Sequence, residues 1–114
     1  MEKTSLDAKT LCNALVRARD AALAARQDDD GGSANLDTPT LDLRGVSARA
    51  IKEASEISGV RIGEPLSGSY WRGHRFIWTP HEGQGNCRAA MSEAAYQSLR
   101  RDLPDRAGHW QQMD

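Results

Sequence analysis

Leu66-Ser67-Gly68-Ser69-Tyr70-Trp71-Arg72-Gly73-His74-Arg75-Phe76-Ile77-Trp78-Thr79-Pro80 is the stretch on which the fold turns. Four of the chain's six aromatic residues, Tyr70, Trp71, Phe76 and Trp78, gather here beside Arg72, His74 and Arg75. Aromatic side chains suit the half-buried, pleated surface of a sheet, so β structure is expected. A turn at Arg72 and Gly73 would fold residues 69–71 against 74–76 as a hairpin, with Gly73 supplying the positive φ that a tight turn needs. Pro80 would end the second arm. Strand alternation then divides the side chains, with Trp71, Arg75 and Ile77 on different faces from Tyr70, Phe76 and Trp78. One face belongs to a core, and the other offers an aromatic ring and an arginine to solvent.

Tryptophan, tyrosine and arginine dominate binding hot spots because they bury a large area at low entropic cost and keep a polar handle; they also stack on nucleobases. Tyr70, Trp71, Arg72, Arg75 and Trp78 are therefore candidate binding residues. The same side chains would serve equally as core filling in a chain with a single phenylalanine, since interiors are close-packed and their volume must come from somewhere.

Working outward, residues 4–27 place Leu11, Leu15, Ala18 and Ala22 at helical spacing, with Cys12, Val16 and Leu23 widening the apolar face. Thr4 followed by Asp7 fits a capping-box start. Residues 28–40 follow as an acidic flexible loop. Asp28, Asp29 and Asp30 are disfavoured at a helix C-terminus, Gly31 and Gly32 add backbone freedom, and residues 28–43 hold five acids and no base. A short strand is expected over 41–43. Ser47 then caps a second helix, Val46 and Ile51 form a hydrophobic staple, and Gly59 takes the left-handed position that ends it. Residues 60–62 form a further strand. Downstream, Asn86 would cap a third helix running to about Leu103, with a core stripe of Met91, Ala94, Ala95 and Leu99 and with Pro104 after its end. Residues 105–114 are left as a C-terminal tail, polar apart from Trp110 and Met113.

These elements describe an α+β fold, about three helices packed on a small, mainly antiparallel sheet of three to four strands. At 114 residues with 39% hydrophobic and 27% charged residues, the chain fits a single domain over 1–114 that can bury roughly two-thirds of its unfolded surface. No apolar run approaches the roughly 18 residues needed to span a bilayer, and the start lacks the apolar core of a signal peptide, so no membrane partner is expected. Two widely separated cysteines, Cys12 and Cys87, are expected as reduced thiols in a cytoplasmic protein. Arginine outnumbers lysine and alanine is abundant, a bias that points to a bacterial or phage source. The formal net charge of −1 argues against a surface built wholly for nucleic acid.

Chemical signatures are incomplete. Gly83-Gln84-Gly85-Asn86-Cys87-Arg88 leads from a glycine-rich turn into a helix N-terminus, where amides and Arg88 can hold an anion, which makes Arg88 a candidate binding residue. The segment lacks the Lys and Ser/Thr of a P-loop and the third glycine of a dinucleotide fingerprint. Cys87 in a first helical turn, with His81 as its base, would be the nucleophile of a small Cys-dependent enzyme, but no orienting third residue is evident, and no catalytic residue is assigned. His74, His81, Cys87 and His109 match no tetrahedral zinc spacing, and the acidic run lacks the EF-hand glycine and glutamate. No metal or other cofactor is implied.

Over residues 47–103 the order helix, strands, helix, with Gly73-His74 followed by Phe76 and then Gly83-x-Gly85-Asn86-Cys87-Arg88 before Ala94-Ala95, is similar to the double-stranded-RNA-binding domain. That resemblance implies phosphate contacts at the opening of the last helix. This chain offers Arg88 where the family has a lysine pair, and residues 76–83 are short for a strand pair. The expected function is thus a non-enzymatic binding or inhibitor protein acting through protein contacts, with nucleic-acid binding as the alternative. A protein partner fits the interspersed charges better.

Overall fold

A computed structural model describes residues 5–26, 37–79 and 86–111. Its elements run α1 (Ala8–Ala24), β1 (Thr38–Asp42), α2 (Ala48–Ser58), β2 (Arg61–Pro65), β3 (His74–Trp78), α3 (Asn86–Asp102) and β4 (Ala107–Trp110). The strands form one antiparallel sheet in the order β2-β3-β1-β4, with three helices against it. The α+β architecture is the one expected.

The core joins one helical face to one sheet face. Leu11, Ala14, Leu15 and Ala18 of α1, Ile51 and Ala54 of α2, and Met91, Ala95 and Leu99 of α3 meet Leu41 of β1 and Ile77 of β3. The α1 helix packs on α3 and α2, α3 reaches β1 and β4, and α2 lies against β2. Two polar ties fix the helical layer: Arg17 Nε donates to Asp102 at 2.7 Å, and Arg19 donates to the Ser58 carbonyl at 2.8 Å.

Local signals explain several boundaries. Ser47 accepts from the Ala50 amide at 3.1 Å, as its N-cap position requires, and Gly59 sits at φ 75° as the C-cap. Val46 packs against the core cluster to which buried Ile51 belongs, the two positions that a staple uses. The first helix differs from its expected start. Asp7, not Thr4, is its N-cap and takes the Thr10 amide at 2.7 Å, a bond that holds the Asp7 carboxyl below its usual range. Aspartate caps as well as threonine, so three residues of shift cost nothing; Thr4 and Gln27 lie outside the described residues.

The hairpin expected at Arg72-Gly73 does not form. Strand β3 has β2 on one edge and β1 on the other, which leaves no edge for residues 69–71. Those residues turn instead, closed by the His74 amide donating to the Trp71 carbonyl at 2.9 Å, with Gly73 at φ 84°. Strand β1 starts at Thr38, so residues 38–40 belong to the sheet and not to the acidic loop; residues 28–36 lie outside the described residues. Strand β2 starts at Arg61 and continues to Pro65, beyond the expected 60–62. The segment expected as a tail contains β4, paired with β1 from Thr38↔Trp110 to Leu41↔Ala107. Helix α3 includes Asn86 as its first described residue, and residues 80–85, Pro80 among them, lie outside the described residues.

Candidate functional site

Register assigns side chains to the two faces of the sheet, because directly opposed residues of antiparallel strands point the same way. Leu41 opposes Arg75 and Ala107, Pro39 opposes His109, and Ile62 opposes Ile77; this set faces the helices. The other set is Thr40 with Phe76 and Gly108, Asp42 with His74, Thr38 with Trp110, and Arg61 with Trp78. Among the described residues no helix lies on that second face.

Rings cover it instead. Trp71 and Trp110 lie with centroids 5.2 Å apart, Trp110 and Phe76 5.6 Å, and Phe76 and Trp78 5.4 Å. Tyr70 meets Trp71 edge-on at 4.8 Å, and Trp71 meets His74 at 5.4 Å. The contacts are tilted or edge-to-face, the arrangement that ring quadrupoles favour. Two strand glycines make room for this layer. A Cβ on Gly108 would come within 2.6 Å of Thr40 Oγ1 and 3.2 Å of the Trp71 ring, and one on Gly63 would come within 3.2 Å of Trp78 Nε1. Beneath the rings Thr38, Thr40 and Asp42 are buried. Thr40 Oγ1 shares a 2.9 Å hydrogen bond with His74 Nδ1. The Asp42 carboxylate takes Arg44 Nε at 3.0 Å and the terminal nitrogen at 2.6 Å, which keeps Arg44 charged above its usual range. Arg106 from the turn before β4 donates to the carbonyls of Asp42 and Arg44 at 2.7 and 3.2 Å.

The layer is partly wet. Tyr70 is 79% exposed and Trp78 38%, while Trp71, Phe76 and Trp110 are half-buried. The rim of the layer carries Arg72, exposed in the turn, and Arg61 opposite Trp78; neither has an ion-pair partner among the described residues.

Of the residues singled out from sequence, Tyr70, Trp71, Arg72 and Trp78 come together around this face. Arg75 does not. It points to the helical side with Ile77, because β3 alternates and Trp71 belongs to the turn before the strand. Arg88 also stands apart, in the first turn of α3 with its Nε buried and unpartnered among the described residues. Cys87 is 2% exposed, its Sγ 3.9 Å from Met91 Sδ in the core, where a substrate cannot reach it. His81 and the glycine turn 83–85 lie outside the described residues. Cys12 is a second buried free thiol, and no group of three metal-binding side chains occurs among the described residues. Between α2 and α3 the described residues hold β2 and β3 and no strand after Trp78, where the RNA-binding-domain resemblance implies a strand pair, and the central strand β1 precedes α2.

Sequence reasoning missed Trp110 as part of this surface and left Phe76 and His74 out of the candidate binding residues. A tryptophan in an otherwise polar tail was the available signal for the first, and glycines inside strands, which mark close approach, were the signal for the ring seats. No protein-family model, no curated protein and no solved structure matches the chain.

Proposed function

We propose that the chain is a non-enzymatic binding protein that docks a protein partner on the ring-covered sheet face, acting as a stoichiometric inhibitor or adaptor in the cytoplasm of a bacterial or phage-infected cell. The observation that carries this is the layer Tyr70, Trp71, Trp110, Phe76 and Trp78 on the side of the sheet that no described helix covers. A layer serving only as packing would be shielded, whereas Tyr70 stands well into solvent and Trp78 is partly exposed. Clustered Trp and Tyr beside Arg is the composition of an interface centre.

Charge supports protein over nucleic acid. Two rim arginines, Arg61 and Arg72, neutralise two phosphates at most, far short of the roughly 6–10 contacts made by strong DNA binders. Asp37 immediately precedes Thr38, which pairs with Trp110, and its carboxylate would repel a phosphate backbone while steering a basic protein surface. Mutually tilted rings also offer a knobbed surface better matched to side chains than to a stack of flat bases.

The test uses Trp78→Ala and Tyr70→Ala, both at exposed positions, with Ile57→Ala as control; Ile57 is 70% exposed on α2. A stoichiometric complex should form with the parent chain and the control and be lost with the ring variants. Equal recovery by all four proteins would remove the surface from consideration. Retention on a single-stranded nucleic-acid column that falls steeply with salt and vanishes in Arg72→Ala or Arg88→Ala would replace a protein partner with nucleic acid.

A further inference from the structure

Arg75 occupies an unusual position. It opposes fully buried Leu41 on the sheet face that the helices cover, where an apolar residue would be expected. Its guanidinium makes one hydrogen bond among the described residues, to the Gly63 carbonyl at a long 3.5 Å. Strand β2 bulges beside it, the register passing from Ile62↔Ile77 to Pro65↔Arg75 with one extra residue on β2. Bulges re-aim side chains and are common next to sites.

The space this opens is a pocket of about 350 Å³ between α2 and the β2–β3 edge, within the range of small-molecule sites, which begins near 300 Å³. Ala48, Ile51 and Ile62 give it an apolar floor, and Lys52, Glu56 and Arg75 stand around it. No ion pair among the described residues links these three charged groups.

We infer that this pocket binds a small monocarboxylate with an apolar body, the carboxylate held by Arg75 and Lys52 and the body laid on Ile51 and Ile62. The guanidinium fork matches a planar carboxylate in two parallel hydrogen bonds, and the ammonium adds a point charge. Glu56 sets the charge limit. Its carboxylate beside two cations leaves room for one further negative charge and opposes a dianion, which selects a carboxylate over a phosphate. The site lies on the opposite side of the sheet from the rings, so it stands or falls independently of the docking surface.

An NMR titration of the isotope-labelled full chain with hexanoate tests this, with inorganic phosphate and hexylamine as companion probes. Hexanoate should give saturable shifts at the amides of residues 48–56, 62 and 75, and the other two probes should not. Arg75→Gln should weaken binding about tenfold, the worth of a charge-assisted pair, and Trp78→Ala should leave it unchanged. Lys52→Gln and Glu56→Gln sit on the exposed side of α2 and keep the test decisive should Arg75→Gln fail to fold: the first should weaken hexanoate binding, and the second should strengthen it and admit phosphate. Shifts that never saturate, an equal response to hexylamine, or undiminished binding by folded Arg75→Gln or Lys52→Gln would overturn the assignment.

Discussion

Gly108 shows how one residue can hold a surface in place. It sits on an edge strand where any Cβ would meet Thr40 Oγ1 and the Trp71 ring, so Trp71 can lie over β4 only while that position is bare. Gly108→Ala should cost about 1–3 kcal/mol by overpacking and lift Trp71 outward, read as a lower denaturation midpoint and greater acrylamide quenching. Arg44 acts from beneath. Asp42 is buried and its carboxylate leans on the Arg44 guanidinium, so Arg44→Ala leaves a buried charge short of donors and should lower stability by about 1–3 kcal/mol, measured by denaturant unfolding. His109 carries the pH dependence. Burial against α3 lowers its pKa from 6.5, with Glu93 and Asp37 opposing the shift; its ring stacks on Tyr96 at 4.9 Å and bonds Ser92 at 2.8 Å. A histidine with a depressed folded pKa binds its proton more readily when unfolded. The contribution of His109 to stability is therefore intact above pH 6.5 and lost as the pH falls toward the lower folded value. Denaturant midpoints should drop between neutral and mildly acidic pH, and His109→Gln should flatten that slope.

Among the elements, β4 is the one whose role exceeds its length. Four residues bring Trp110 against Trp71 and Phe76, seat Trp71 on Gly108 and place His109 beneath α3. Trp110→Ala should remove about 3 kcal/mol, the lower end for a large aromatic because the ring is only half-buried, and should raise the exposure of both neighbouring rings in quenching experiments. Helices were legible from sequence because their signals are local: the Ser47 cap, the Gly59 stop and the spacing of Leu11, Leu15 and Ala18 each act within a turn or two. Strand pairing was not. The edge of β3 that a hairpin would have used is taken by β1, more than thirty residues upstream, and β1 gave little sign of a central strand because it reads Thr-Pro-Thr-Leu-Asp. Pro39 is tolerated there because the pairing with β3 begins at Thr40, leaving only β4 alongside it.

At the scale of the molecule, helices cover one side of the sheet and rings cover the other. The composition of the candidate site was visible in residues 70–78, but its membership was not, because membership follows from register. A single strand's alternation sent Arg75 to the helices and Phe76 to the rings, and only the antiparallel partner β4 could add Trp110. The helical side packs around Leu15, Met91 and Leu99, whereas no described helix covers the ring layer. Hydroxyl-radical footprinting of the free chain and of its complex tests its role most directly. Tyr70 and Trp78 should be readily oxidised in the free chain and strongly protected in the complex, with Ile57 unchanged in both. Protection at Ile57 with Tyr70 and Trp78 still oxidised would contradict docking through the rings.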